Sequence, residues 1–197
     1  IPADFDNDAR FPNTGYPVNG SYYPNAPDIG ADEFGGIPND ITVPAISYTP
    51  LPSTANGNQR TLMATITDGS GVPVSGFGLP MLYWKINSYP WQGVQGVHGT
   101  GDSYSFNFGS GTVLGDVVSY YVVAQDMAAS PNITAFPSVG ASGFTLNPPA
   151  CASPPGTPSS YTVMPGISGV FHVGTGKNYT TLTAAAADIN TKCLNGP

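Results

Sequence analysis

The chain has 197 residues, of which 9% are charged, 25 are Gly and 21 are Pro, and its formal net charge is −7. The basic side chains, Arg10, Arg60, Lys85, Lys177 and Lys192, are too few to form an electropositive surface that neutralises phosphates, which excludes a nucleic-acid partner. An apolar content of 40% excludes wholesale disorder, and no apolar run reaches the roughly 18 residues that crossing a bilayer requires, so no membrane insertion is expected.

Residues 1–40 lack sustained periodicity and are dense in Pro, Gly, Asn and Tyr, so they are expected as ordered loop with short strands that pack on a neighbour. From 41 to 147 the pattern changes to short alternating apolar runs separated by turn signals at a spacing of roughly 10 to 15 residues, the signature of an all-β sandwich. Ile41 to Leu51 is interrupted by Pro and suits an edge strand. Arg60 to Thr67 places Leu62, Ala64 and Ile66 on one face, and Met81 to Ile86 places Leu82, Trp84 and Ile86 inward. A weaker strand is expected at Val94 to Val97. Tyr104, Phe106 and Phe108 then alternate with Ser103, Ser105 and Asn107, the clearest period of two in the chain. Val117 to Gln125 sets Val118, Tyr120, Val122 and Ala124 on one side, and either Ile133 to Phe136 or Gly143 to Leu146 closes the sheet.

Residues 148–160 are proline-dense and are expected as a semi-rigid tether with no core of its own. Residues 161–197 begin with strand-like runs and then offer a helix over Leu182 to Cys193, with Thr180 or Thr181 as N-cap and Asn195-Gly196 as the stop.

Several residues are candidates for chemistry. Asp4, Asp6 and Asp8 alternate, so in an extended segment their carboxylates face one way and call for a counter-ion, with calcium suited to an oxygen-only cluster. Ala9 occupies the position of the turn glycine of a calcium-binding helix-loop-helix, so that particular motif fails, and a solvated loop pairing with Arg10 is the alternative. Asp68 and Asp126 follow the second and sixth sandwich strands, which end at one pole, so the two carboxylates are expected on neighbouring loops as a second possible ion site. The competing expectation is that each Asp bonds the backbone of its own turn.

Asp32 and Glu33 are adjacent, and adjacent strand residues point to opposite faces, so they do not form an acid/base pair. His98 and His172 have no nucleophile placed near them by any motif. The chain is therefore expected not to be an enzyme. Tyr89 and Trp91 lie in a loop where flat rings can stack on sugars, which makes them glycan-contact candidates; covering the sandwich is the alternative. Cys151 and Cys193 are too few for a tetrahedral metal site. They are expected as a disulfide in an oxidising compartment, with two separate buried thiols as the alternative. Asn-x-Ser/Thr triplets occur at Asn19, Asn132 and Asn178.

The strand succession, with Trp84 in the third strand and "GDVVSYYVVAQD" as a late strand, resembles an immunoglobulin-like or fibronectin-type module of large bacterial surface proteins, without the inter-sheet cysteine pair of antibody domains. The flanks resemble the ends of right-handed parallel β-helix domains in secreted proteins of Bacteroidota. The matching pieces are the acidic stretch Asp4 to Arg10, "DIGADEF" at Asp28 to Phe34, and "YTTLTAA" at Tyr179 to Ala185.

The resemblance implies an all-β chain: an immunoglobulin-like antiparallel sandwich over 41–147, flanked by partial β-helix segments at 1–40 and 161–197, with a linker at 148–160 and one short C-terminal helix. It further implies a non-catalytic structural or adhesive module of an extracellular, cell-surface repeat protein, with neighbouring copies or adjacent domains as partners and a fibre as one outcome of its incomplete ends. The alternative is an accessory carbohydrate-binding module of a secreted polysaccharide-degrading enzyme, with surface glycans as partners. The chain opens at Ile1 without Met or a signal sequence, and a mature or excised segment is expected.

Overall fold

The computed structural model describes residues 40–194. The acidic triplet Asp4, Asp6 and Asp8, and the stretch Asp28 to Phe34 with Asp32 and Glu33, lie outside the described residues.

The strands form where apolar residues recur at every second position. In chain order they are β1 (Ala45–Ser47), β2 (Arg60–Thr67), β3 (Met81–Ile86), β4 (Gln92–Gln95), β5 (Val97–His98), β6 (Ser103–Phe108), β7 (Val117–Gln125), β8 (Ile133–Phe136), β9 (Ser142–Thr145), β10 (Ala150–Ser153), β11 (Ser159–Thr162) and β12 (Gly166–Ile167). A helix, α1 (Leu182–Ile189), and a last strand, β13 (Cys193–Leu194), follow. The described chain is thus mostly β, with antiparallel pairing throughout its larger sheets.

Two sheets dominate. One runs β1-β2-β6-β5 and the other β11-β7-β3-β4. The register places inward residues opposite one another: Leu62 faces Phe106 between β2 and β6, while Leu82 faces Val122 and Trp84 faces Tyr120 between β3 and β7. Leu62, Ala64, Ile66, Tyr104, Phe106 and Phe108 from the first sheet share one buried apolar cluster with Leu82, Trp84, Val118, Tyr120, Val122 and Ala124 from the second. Trp84 and Phe108 lie 6.1 Å apart between ring centroids, and Phe108 and Tyr120 lie 5.1 Å apart. Removing this much apolar and aromatic surface from water is the main stabilising term of the fold.

The expected strand at Val94 to Val97 is in fact two strands in different sheets. β4 pairs with β3, whereas β5 pairs with β6, and Gly96 between them makes the crossing. Its amide donates to the Pro80 carbonyl at 2.8 Å, and a Cβ there would lie 2.8 Å from the Phe106 ring, so only glycine lets the chain pass so close to the interior.

The tether expected over 148–160 is also replaced by structure. β10 forms a hairpin with β9, and β11 pairs with β7 in register from Ser159 opposite Tyr120 to Thr162 opposite Val117. Tyr161 and Val163 are buried in the main interior, so the sheet includes residues that sequence assigned to a following unit. β7 explains why: its first half bonds β11 and its second half bonds β8, Val122 to Gln125 opposite Phe136 to Ile133. One edge of β7 thus needs two partners, and the proline-dense stretch brings the second one back.

The outer face of β7 is covered as well. Tyr121 and Val123 form a second buried cluster with Ala135, packed by Tyr83, Trp91 and Cys151. Tyr83 stacks on Tyr121 at 5.4 Å, and its hydroxyl donates to the Pro149 carbonyl, holding the β9–β10 hairpin against the sheet.

The disulfide expected between Cys151 and Cys193 is absent, and both are free thiols. Cys151 is held in the β9–β10 hairpin, opposite Phe144, while Cys193 is held by the parallel β12–β13 pair, opposite Gly166. Each cysteine is committed to a different ladder.

The C-terminal helix is shorter than expected. Thr181 is its N-cap, accepting from the Ala184 amide at 3.1 Å, but the helix stops at Ile189 with Asn190 as C-cap. The chain must turn there for Cys193 and Leu194 to pair with Gly166 and Ile167. An ion pair between Lys192 and Asp188, one turn apart, closes the end of the helix. Among the described residues no helix is long and apolar enough to cross a membrane.

Candidate functional site

β2 ends at Thr67 and β7 at Gln125, and the loops that follow them meet. The Met127 amide donates to the Gly71 carbonyl at 3.0 Å, joining the two turns. Asp68 opens its turn by accepting from the Ser70 amide at 2.8 Å through Oδ1, while its carbonyl accepts from Gly71.

Asp126 is 1% exposed, a depth at which a carboxylate requires donors. Its Oδ1 accepts from the Ala128 and Asn132 amides at 3.2 and 2.8 Å, and its Oδ2 accepts from the Asn132 side chain at 2.7 Å. Each Asp thus bonds its own turn, and the two carboxylates stand on neighbouring loops. Oxygens of Asp68 and Asp126 lie within 4.8 Å of one another.

Two carboxylates at this spacing repel, and a hard divalent cation with oxygen ligands is one species that relieves such a pair. The donor set suits calcium in kind, since every ligand offered is oxygen. It is incomplete in number, because calcium takes six to eight oxygens, and the lone pairs of Asp126 are partly engaged by Ala128 and Asn132. Sequence reasoning missed Asn132 as a partner of Asp126, and the signal that could have pointed to it was its place in a "SPN" turn.

Beside this pole the buried Gln125 forms a reciprocal amide pair with Asn147: Gln125 Nε2 donates to Asn147 Oδ1, and the Asn147 amide donates to Gln125 Oε1, both at 3.0 Å. The pair satisfies a polar side chain that would otherwise be costly in the interior.

Tyr89 and Trp91 have separate environments. Tyr89 is exposed. Trp91 lies edge-on to Tyr121 at 4.9 Å, and the Lys85 ammonium stands 4.9 Å from its ring centroid. Trp91 therefore serves the outer-face cluster, which leaves Tyr89 as the open ring of the two.

Tyrosine hydroxyls tie the loops to the sheets. Tyr120 accepts from the Leu51 amide at 2.7 Å, and Tyr48 donates to the Phe136 carbonyl at 3.1 Å. Burial pushes the ionisation of Tyr48, Tyr120, Tyr121 and Tyr161 above the ordinary tyrosine range, and burial likewise raises the Cys151 thiol. His98 Nε2 meets the Gly101 carbonyl at 2.7 Å and its ring packs on Tyr104. The His172 amide bonds Asn178.

No protein-family model matches the chain, and no curated protein matches it in sequence.

Proposed function

We propose that this chain is a non-catalytic structural and adhesive module of a long, repetitive extracellular surface protein, its described part acting as a rigid spacer built on an immunoglobulin-like sandwich. The observation that carries this reading is the strand order. One sheet runs β1-β2-β6-β5 and the other runs β4-β3-β7 with β8 and β11 on the far edge, and both line one interior. That is the order in which an immunoglobulin-type sandwich distributes its strands. Trp84 in the third strand and the Tyr120 hydroxyl that receives the Leu51 amide support it further.

The parallel pairing of β12 with β13 around α1, and the parallel bridge from Val173 to Tyr179, support reading the C-terminal part as the opening of a β-helix. Val170, Phe171, Val173, Leu182 and Ile189 are exposed there, which favours docking on an adjacent domain or a neighbouring copy and, from that, a fibre. Light scattering over a range of concentrations tests the assembly: growth with concentration is expected, and a strict monomer at high concentration removes the fibre.

A second reading, an accessory carbohydrate-binding module, is favoured by the exposed ring of Tyr89 beside Trp91. A glycan array separates the two. A silent array is expected for the structural module, while binding that disappears in Tyr89→Ala or Trp91→Ala replaces it with the carbohydrate reading. Calcium belongs to either reading as a stabiliser at Asp68 and Asp126. If bound, it raises the melting temperature relative to chelator, and identical melting curves retire it.

A further inference from the structure

We propose that Asn56 is a site of spontaneous chemical modification, at which the Gly57 amide nitrogen attacks the Asn56 side chain and converts it to aspartate and isoaspartate. Asn56 is exposed and is followed by glycine, so residue 57 itself carries no side chain to shield the attacking nitrogen. The local hydrogen bonds tie the carboxamide into its own turn. The Asn58 amide donates to Asn56 Oδ1 at 2.9 Å, and the Asn56 amide donates to Thr54 Oγ1 at 3.1 Å.

The bonds change as follows. The Gly57 nitrogen forms a bond to Cγ of Asn56, and the proton it loses leaves on Nδ2 as ammonia when the Cγ–Nδ2 bond breaks, closing a cyclic imide. Water then opens the imide. Cleavage at Cγ gives aspartate, and cleavage at the main-chain carbonyl gives isoaspartate, with no net oxidation or reduction. During attack, negative charge develops on Oδ1, where the Asn58 N–H already points, so the turn carries its own donor for the developing oxyanion.

Neighbouring turns show why this position stands apart. Asp68-Gly69 has the same geometry, with the Ser70 amide on Oδ1, but its side chain is a carboxylate among carboxylates and a poor electrophile. Asn87 has both ends of its amide engaged, Nδ2 on Asp116 and Oδ1 under the Val117 amide. Asn132 donates through Nδ2 to Asp126 and is followed by the β-branched Ile133.

The modification has a structural consequence. Gly57 is anchored by Thr112, whose Oγ1 donates to the Gly57 carbonyl at 3.1 Å, and Thr54 is anchored by the Thr162 carbonyl and the Met164 amide. Isoaspartate inserts a methylene into the main chain between these anchors and adds a negative charge. The loop that fastens residues 162–164 is thereby loosened.

The full chain is incubated at mildly alkaline pH, with ammonia release followed in solution and products located by peptide mapping that separates aspartate from isoaspartate. Asn56 is expected to convert before every other described asparagine, mainly to isoaspartate, and Asn56→Gln is expected to remove that signal. Asn58→Pro, checked for folding by its unfolding curve, removes the donor and is expected to slow conversion at Asn56 about tenfold, below the roughly hundredfold loss of a water-excluded donor. Asn56 intact in the native chain while it converts in denaturant overturns the proposal. So does an unchanged rate in a folded Asn58→Pro.

Discussion

β7 and α1 contain comparable fractions of apolar residues, yet nearly all of β7 is buried whereas α1 buries only Ala185 and leaves Leu182 and Ile189 open. The difference lies in layers. β7 has a sheet facing its inner side and a hairpin covering its outer side, while β12, α1 and β13 form a thin turn of chain with one contact face. Apolar content by itself therefore does not make a core; a second layer does.

The sharpest way to break this comparison is truncation. A chain ending at Pro165 is expected to keep a single cooperative unfolding transition, because β11 and Val163 remain. A chain ending at Pro158 is expected to lose it, because the first half of β7 is left without its edge partner and the interior without Tyr161. Circular dichroism against denaturant reads both. Equal behaviour would mean that β11 adds nothing to the sheet.

Point substitutions sharpen the contrast. Phe106→Ala, at the centre of the shared interior, is expected to lower the unfolding free energy by about 3–5 kcal/mol. Leu182→Ala in the exposed segment is expected to change it by less than about 0.5 kcal/mol. Similar losses would show that the segment has an interior of its own.

Alkaline titration distinguishes the regions by their tyrosines. Tyr48, Tyr120, Tyr121 and Tyr161 ionise above the ordinary range in the folded chain because burial disfavours the phenolate. The unfolded chain releases these protons first, so their contribution is intact below the ordinary tyrosine pKa and is lost as pH rises through and beyond it. Chemical denaturation at a series of alkaline pH values should show a falling midpoint. A flat profile would mean that these hydroxyls are solvated.

Asp126→Ala is expected to cost about 1–3 kcal/mol by leaving the Ala128 and Asn132 amides without their acceptor. Asp68→Ala, in the more open turn, is expected to cost less. Thermal melts of both variants test this ordering, and the reverse order would move the structural weight from Asp126 to Asp68.

The alternation of Tyr104, Phe106 and Phe108 made β6 legible, and the same period exposed β2 and β3. The meeting of Asp68 and Asp126 was legible as well, because strands ending at one pole bring their following loops together. The role of Asn132 as a donor to Asp126 was not, since a local turn signal does not say which acceptor its amide meets. The proline-dense stretch misled for a related reason. Pro and Gly report local backbone preference, whereas β10 exists because β9 offers it a partner and β11 because β7 does. The cysteines show the same limit, as pairing depends on where ladders hold each residue and a count of two says nothing of that.

Sequence alone determined that the chain forms strands, which side chains in β2, β3 and β6 turn inward, and that a helix starts after Thr180 or Thr181, because periodicity and capping are short-range. Tertiary structure decided that Gly96 passes the chain from one sheet to the other, that residues 159–163 return to complete the interior, and that the cysteines stay apart. Those outcomes depend on contacts between residues far apart in the chain, whose free energy is realised only when both layers are in place.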